Sequence, residues 1–220
     1  TTCWIFRYRC PNAGPRRPDS NLSCHPGASR DPAIDHNMPE QPDTQAPGVR
    51  IDAGLRRNDE HGVLILSDIG FNAPTALLAR YGLVLEHIAD AQPIPGSYWG
   101  DCEAGIIGNT VYARSDTPVH SLLHEAGHLI VLPPDTRAAV HTDATDSVPE
   151  EDAVCVLQAL LGEALGIDRT RIWADMDAWG YTFRLGSARA YAEHDADTAW
   201  QWLHTHGLTD AKRQLALPAA

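Results

Sequence analysis

Two histidines and a glutamate near the middle of the chain have the residue types and the spacing of a zinc site. The segment 124–128 reads His-Glu-Ala-Gly-His, which is an HExxH motif. On an α-helix, side chains four residues apart project from the same face. The imidazoles of His124 and His128 can therefore both reach one Zn²⁺ ion at about 2.0–2.1 Å. Glu125 is offset from that face, which makes its carboxylate a candidate general base for a water activated by the metal.

A third protein ligand is needed, because a catalytic zinc ion is held by three side chains and keeps one position open. Glu150 and Glu151 open the next predicted helix, and either carboxylate could face the metal. Acids in a first turn also complement the helix macrodipole, so the residues alone leave this choice open. His141 and Asp143 lie in the intervening acidic loop and are weaker candidates, because a flexible loop does not hold a ligand rigidly. His120 is too far along the helix axis to join both motif histidines on one ion, and we expect it to line the pocket or lie on the surface.

The motif lies in a helix predicted over 118–131, which Asp116 or Thr117 begins and Pro133-Pro134 ends. Before this helix the sequence pattern mostly predicts strands, and after it only helices. The predicted strand-type runs are 62–69, 83–89 and two short pieces within 104–115, and the other predicted helices are 73–81, 150–166, 169–181 and 187–207. A few strands followed by a run of helices indicate an α+β fold.

Composition limits the class of protein. The chain has 220 residues, of which 43% are hydrophobic, and a formal net charge of −12. That charge repels phosphate, so we expect no nucleic-acid partner. The sequence lacks an apolar run long enough to span a bilayer, so we expect no membrane-spanning segment. The five cysteines form no evident disulfide framework, which favours a reducing, cytoplasmic location.

The domain is expected to begin after a polar, proline-rich stretch. Residues 1–60 show no apolar periodicity and are punctuated by turn-forming residues, which predicts a disordered extension and linker. We expect the first 37 or so residues of this stretch to be dispensable. We interpret them as an extension upstream of a true start at Met38. Residues 61–220 then form the folded domain.

The HEAGH motif and a following helix that opens with EEDAVCVLQALL resemble the gluzincin metallopeptidases. The similarity is closest to the short ImmA/IrrE-type peptidases, and the E-x-x-A helix is also seen in Ste24/HtpX-type enzymes. In that pattern the zinc-binding glutamate stands three residues before an alanine. Glu150 precedes Ala153 by three, so the resemblance favours Glu150 as third ligand, with Glu151 as the alternative. Val154 departs from the pattern, which has a polar residue at this position.

The resemblance also implies a fold and an activity. The fold is zincin-like, with a small, mostly antiparallel sheet packed on the HExxH helix and a helical C-terminal part. The activity is zinc-dependent hydrolysis of peptide bonds in extended or flexible protein segments, with Zn²⁺ as cofactor, a peptide or protein as substrate and Glu125 as general base. The alternative is a zincin-like metal-binding sensor or protein-interaction module without turnover.

A zinc peptidase also needs a hydrogen-bond donor for the oxyanion. Tyr181 is the residue predicted for this role, and Arg184, Tyr191 and His194 are further candidates from the same polar and aromatic region. The strand at 110–115 runs into the motif helix, so we expect it to be the edge on which an extended peptide adds as a further strand.

Overall fold

The motif helix packs between a small sheet and a second long helix. The computed structural model describes residues 4–5, 62–145 and 147–218. The helices of these residues are α1 (Leu66–Ile69), α2 (Asn72–Ala79), α3 (Val119–Val131), α4 (Val148–Ala164), α5 (Arg169–Trp179), α6 (Ala188–His194) and α7 (Asp197–Thr205). The strands are β1 (Trp4–Ile5), β2 (Val84–His87), β3 (Gly105–Ile107), β4 (Thr110–Ala113) and β5 (Tyr181–Thr182).

The main sheet is mixed, with the strand order β2-β4-β3. The strand β4 runs antiparallel to β3, which a tight turn joins to it, and parallel to β2. A parallel neighbour requires a long connection, and residues 88–109, which include β3, supply it. The α+β class is therefore confirmed, but the expectation of a mostly antiparallel sheet is wrong. Because β4 is paired on both sides, the expectation that 110–115 offers a free edge is also wrong.

Two segments differ in type from their sequence-based predictions. Residues 62–69, predicted as a strand, contain the short helix α1, and Ile65 joins only an isolated bridge with Pro118. The backbone N–H of Ile65 donates to the Asp68 carboxylate at 3.0 Å, a local bond that competes with strand pairing. The predicted helix 187–207 is divided into α6 and α7 at Asp195, whose carboxylate is paired with Arg184.

The N-terminal stretch makes one described contact with the domain. Trp4 and Ile5 form β1, which pairs antiparallel with Thr182 and Tyr181 of β5. This pairing involves only two residues of the stretch that the sequence predicts to be an extension and linker. The remainder of 1–60 lies outside the described residues, so its prediction as extension and linker stays a prediction.

The core is formed where α3 packs on α4. Leu122, Leu123 and Leu129 of α3 are completely buried. Close approach of the two helices depends on Gly127, because a Cβ atom at this position would lie 3.0 Å from Cγ1 of Val154. The absence of a side chain at Gly127 thus brings the first turn of α4 near the motif histidines. The motif helix begins after Pro118, and not at either of the two residues predicted to cap it.

Two further expectations from the sequence concern membrane-spanning helices and the redox state of the cysteines. None of the helices within the described ranges has the length and apolar character needed to cross a bilayer. Cys102 is disulfide-bonded, so the cysteines do not support the expected reducing location.

Candidate metal centre

Three side chains from α3 and α4 converge at one point, where they could hold a metal ion. The Nε2 atoms of His124 and His128 lie 3.1 Å apart. The carboxylate of Glu151 approaches both rings, with Oε1 at 3.5 Å from His124 Nε2 and Oε2 at 3.2 Å from His128 Nε2. Donors placed tetrahedrally at about 2.0–2.1 Å from one ion are separated by about 3.3–3.4 Å. The three observed separations fall within a few tenths of an ångström of that value, so these residues fit Zn²⁺.

The third member of this group is Glu151, whereas the resemblance favoured Glu150. The Oε2 atom of Glu150 accepts a hydrogen bond from Thr145 Oγ1 at 2.5 Å, so this carboxylate is bonded to the loop that precedes α4. One residue along an α-helix changes the direction of the side chain by about 100°. Adjacent glutamates therefore cannot both face the histidines, and the geometry favours the alternative ligand.

Cys155 is a candidate ligand that the sequence reasoning missed. One ligand atom each from His124, Glu151 and Cys155 lie within 4.8 Å of one another, so these three could also hold a metal ion. Cys155 follows Glu151 by four residues on α4 and is almost completely buried. The spacing of four between a candidate ligand and a cysteine was the available signal in the sequence.

Burial keeps the imidazoles in the form that binds metals. It lowers the pKa of His124 and of His128 from 6.5 to about 4, so both rings are neutral near neutral pH. Burial also raises the pKa of Glu151, an effect that His128 partly opposes. The Nδ1 atoms of both histidines are buried and make no hydrogen bond with any described residue. The outer partners that usually orient metal-binding imidazoles are therefore missing from this part of the chain.

Glu125 lines a cavity of about 450 Å³ together with the three converging side chains. Burial raises its pKa well above the usual range, and the charges of Glu151, Glu103 and Asp143 raise it further. Its place on the same cavity wall as the candidate ligands makes this carboxyl a candidate acid–base group.

Of the four residues considered as oxyanion donors, Tyr181 lies at the cavity. It is on the wall, and its ring centroid is 5.7 Å from that of His124. The others are engaged elsewhere. Arg184 is paired with Asp195, the Tyr191 hydroxyl donates to the carbonyl of Asp152 at 3.3 Å, and His194 is exposed beside Glu193.

The remaining candidates of the sequence separate in space. Asp143 lines the cavity, whereas His141 is exposed and forms isolated bridges with Ile107 and Asp143. His120 is completely buried and is absent from the cavity wall, so the expectation of a pocket or surface position is wrong. Its ring contacts Trp179 edge-on at 5.3 Å between centroids.

Comparison with known proteins gives no match to any family model, to any curated protein or to any solved structure. The geometry of this site is therefore the basis on which a function can be inferred.

Proposed function

We propose that this protein is a zinc-dependent peptidase with a zincin-like fold, in which His124, His128 and Glu151 hold the metal. The convergence of these three side chains at near-tetrahedral separations carries the proposal. The presence of Glu125 on the same cavity wall supports a hydrolytic role for the site. Zn²⁺ would supply Lewis acidity that polarises a peptide carbonyl and acidifies a water.

The side chains of this site divide the remaining work. Glu125 accepts the proton of the attacking water and delivers it to the leaving nitrogen, which is general acid–base catalysis by one carboxylate. The hydroxyl of Tyr181 donates a hydrogen bond to the oxygen that develops negative charge. The neutral imidazoles and Glu151 would hold the metal.

The substrate is an extended peptide segment. The stretch from Thr142 to Thr145 lines the cavity and continues the sheet, since the Thr142 N–H donates to the carbonyl of Ile106 at 2.9 Å. This stretch, and not β4, is therefore the backbone beside which a substrate strand would lie. A folded domain does not present a free strand, so cleavage is expected in flexible segments.

One observation favours a second candidate, a metal-binding sensor without turnover. Neither Nδ1 atom of the two histidines has an outer partner among the described residues. Outer partners typically contribute a factor of about 10–100 in metal affinity. A weakened site that loads and releases metal is better suited to sensing than to permanent catalysis.

Glu125→Gln separates the two functions. The change keeps the side-chain size and removes the base, so zinc content is expected to stay equal to wild type while cleavage of an unstructured peptide pool falls by a factor of about 10²–10⁴. The matched control is Glu163→Gln, the same change at a partly exposed residue paired with Arg169. Equal cleavage by wild type and Glu125→Gln contradicts the peptidase mechanism. Absence of cleavage by zinc-loaded wild type favours the sensor.

A further inference from the structure

Two exposed aromatic side chains stand at the cavity wall without a role in the metal site. Tyr98 is 62% exposed and Trp99 is 45% exposed, although both belong to the cavity lining. Their ring centroids lie 4.7 Å apart in an edge-to-face arrangement. Large apolar surfaces left in contact with water at a concave site commonly mark a binding position.

The loop that carries these rings is held firmly by Glu103. This carboxylate is 5% exposed and accepts hydrogen bonds from Ser97 Oγ at 2.5 Å and from the backbone N–H of Trp99 at 2.6 Å. It also accepts from the N–H groups of Gly100 at 3.0 Å and Asp101 at 3.2 Å. A buried carboxylate with four donors fixes the loop backbone before any ligand binds, which lowers the entropy cost of binding.

The same loop is attached to the sheet and to the motif helix. Gly96 has a φ of +69°, and a Cβ atom there would lie 2.3 Å from the carbonyl oxygen of Ile106. The backbone N–H of Ala104 donates to Ser121 Oγ on α3 at 3.1 Å. The position of the two rings is thereby coupled to the helix that bears the HExxH motif.

We propose that Tyr98 and Trp99 form a specificity subsite that binds an aromatic or large aliphatic side chain of the peptide substrate. This inference rests on the proposed peptidase function and names its substrate class. The negative charge of the cavity wall adds a second preference, against acidic side chains of the substrate. Glu103, Glu125 and Asp143 join Glu151 on the wall, and among the described residues the wall includes neither lysine nor arginine. An acidic side chain near the scissile bond is therefore repelled, and the preferred segment is apolar and free of acids.

The test measures peptide binding to zinc-loaded Glu125→Gln protein, which holds substrate without cleaving it. The probes are short, labelled, unstructured peptides that differ at one position, occupied by Phe, Ala or Glu, and this position is moved along the peptide. Fluorescence anisotropy is expected to show that Phe at one register binds about tenfold tighter than Ala, and that Glu binds worst.

Trp99→Ala and Tyr98→Ala, each placed in the Glu125→Gln background, are expected to reduce the Phe preference to near one with zinc content unchanged. The control is Leu185→Ala, which removes a 42% exposed leucine outside the cavity lining and should keep the preference. A Phe preference that survives both aromatic changes overturns the proposal, as does uniform or absent binding of all peptides. The peptidase function is judged separately, by cleavage with wild type and its loss with Glu125→Gln.

Discussion

Separate substitution of the two adjacent glutamates of α4 by glutamine tests the metal site most directly. Glu151→Gln replaces a carboxylate that lies 3.5 Å from His124 Nε2 and 3.2 Å from His128 Nε2. Glu150→Gln makes the same chemical change one residue earlier, on a side chain bonded to Thr145. Each variant removes one acid from the first turn of the same helix, so general effects on helix stability cancel in the comparison.

The expected loss follows from the role of each carboxylate. An outer partner of a ligand contributes a factor of about 10–100 in metal affinity, so removal of a direct ligand should cost more than about 100-fold. That factor corresponds to more than about 2.7 kcal/mol. At a free zinc concentration about 100 times the wild-type dissociation constant, zinc stabilises wild type by about 2.7 kcal/mol and Glu151→Gln by less than about 0.5 kcal/mol.

Competition with a fluorescent zinc chelator measures the affinities, and thermal unfolding with and without zinc measures the stabilisation. Glu151→Gln should lose nearly all of the zinc-dependent rise in Tm, whereas Glu150→Gln should keep it. The opposite result would refute the geometric assignment and restore the ligand favoured by the resemblance. Retention of wild-type affinity by both variants would show that neither glutamate binds the ion.

Three further predictions concern neighbouring residues. His120→Phe should reduce the acid sensitivity of metal-free protein. Burial lowers the pKa of His120 from 6.5 to about 3, so the ring stays neutral in the folded protein while it is protonated in the unfolded chain below pH 6.5. The free energy of unfolding should therefore fall by about 2 kcal/mol between about pH 7 and about pH 5 in the wild type. Urea unfolding at the two pH values should show a smaller difference in the variant, and an unchanged difference would contradict this account. Gly127→Ala should lower Tm through crowding against Val154, at a cost of about 1–3 kcal/mol, and Val154→Ala in the same protein should recover part of it. Cys155→Ala should keep zinc affinity while His128→Ala loses it, because His128 and not the thiol completes the proposed ligand set; the reverse order would assign the metal to the triad that includes Cys155.

The sequence alone was sufficient for the part of the site that lies within one helix. A helix places residues four apart on one face whatever surrounds it, so His124 and His128 were predictable as a pair and Glu125 as their offset neighbour. The helix itself was also predictable, since a proline at each end and an apolar pattern between them define its extent. The general α+β class followed in the same way from the order of strands and helices.

Other features required contacts between distant parts of the chain. The direction in which β2 pairs with β4 depends on the path of the connecting loop, which strand propensity does not encode, so the mixed sheet was not predicted. The type of α1 was missed because a local bond to Asp68 competes with strand pairing. The rings of Tyr98 and Trp99 reached the cavity only through the loop fixed by Glu103.

The choice between Glu150 and Glu151 could not be predicted from the sequence and depended on tertiary packing. The sequence determined that two histidines and a glutamate share one helix, and that an acid from the next helix could complete a metal site. The packing of α4 against α3 at Gly127 decided which acid faces the histidines. Adjacent residues on a helix differ by about 100° in direction, and only the rotation of α4 in its packed position determines which side chain points at the metal position.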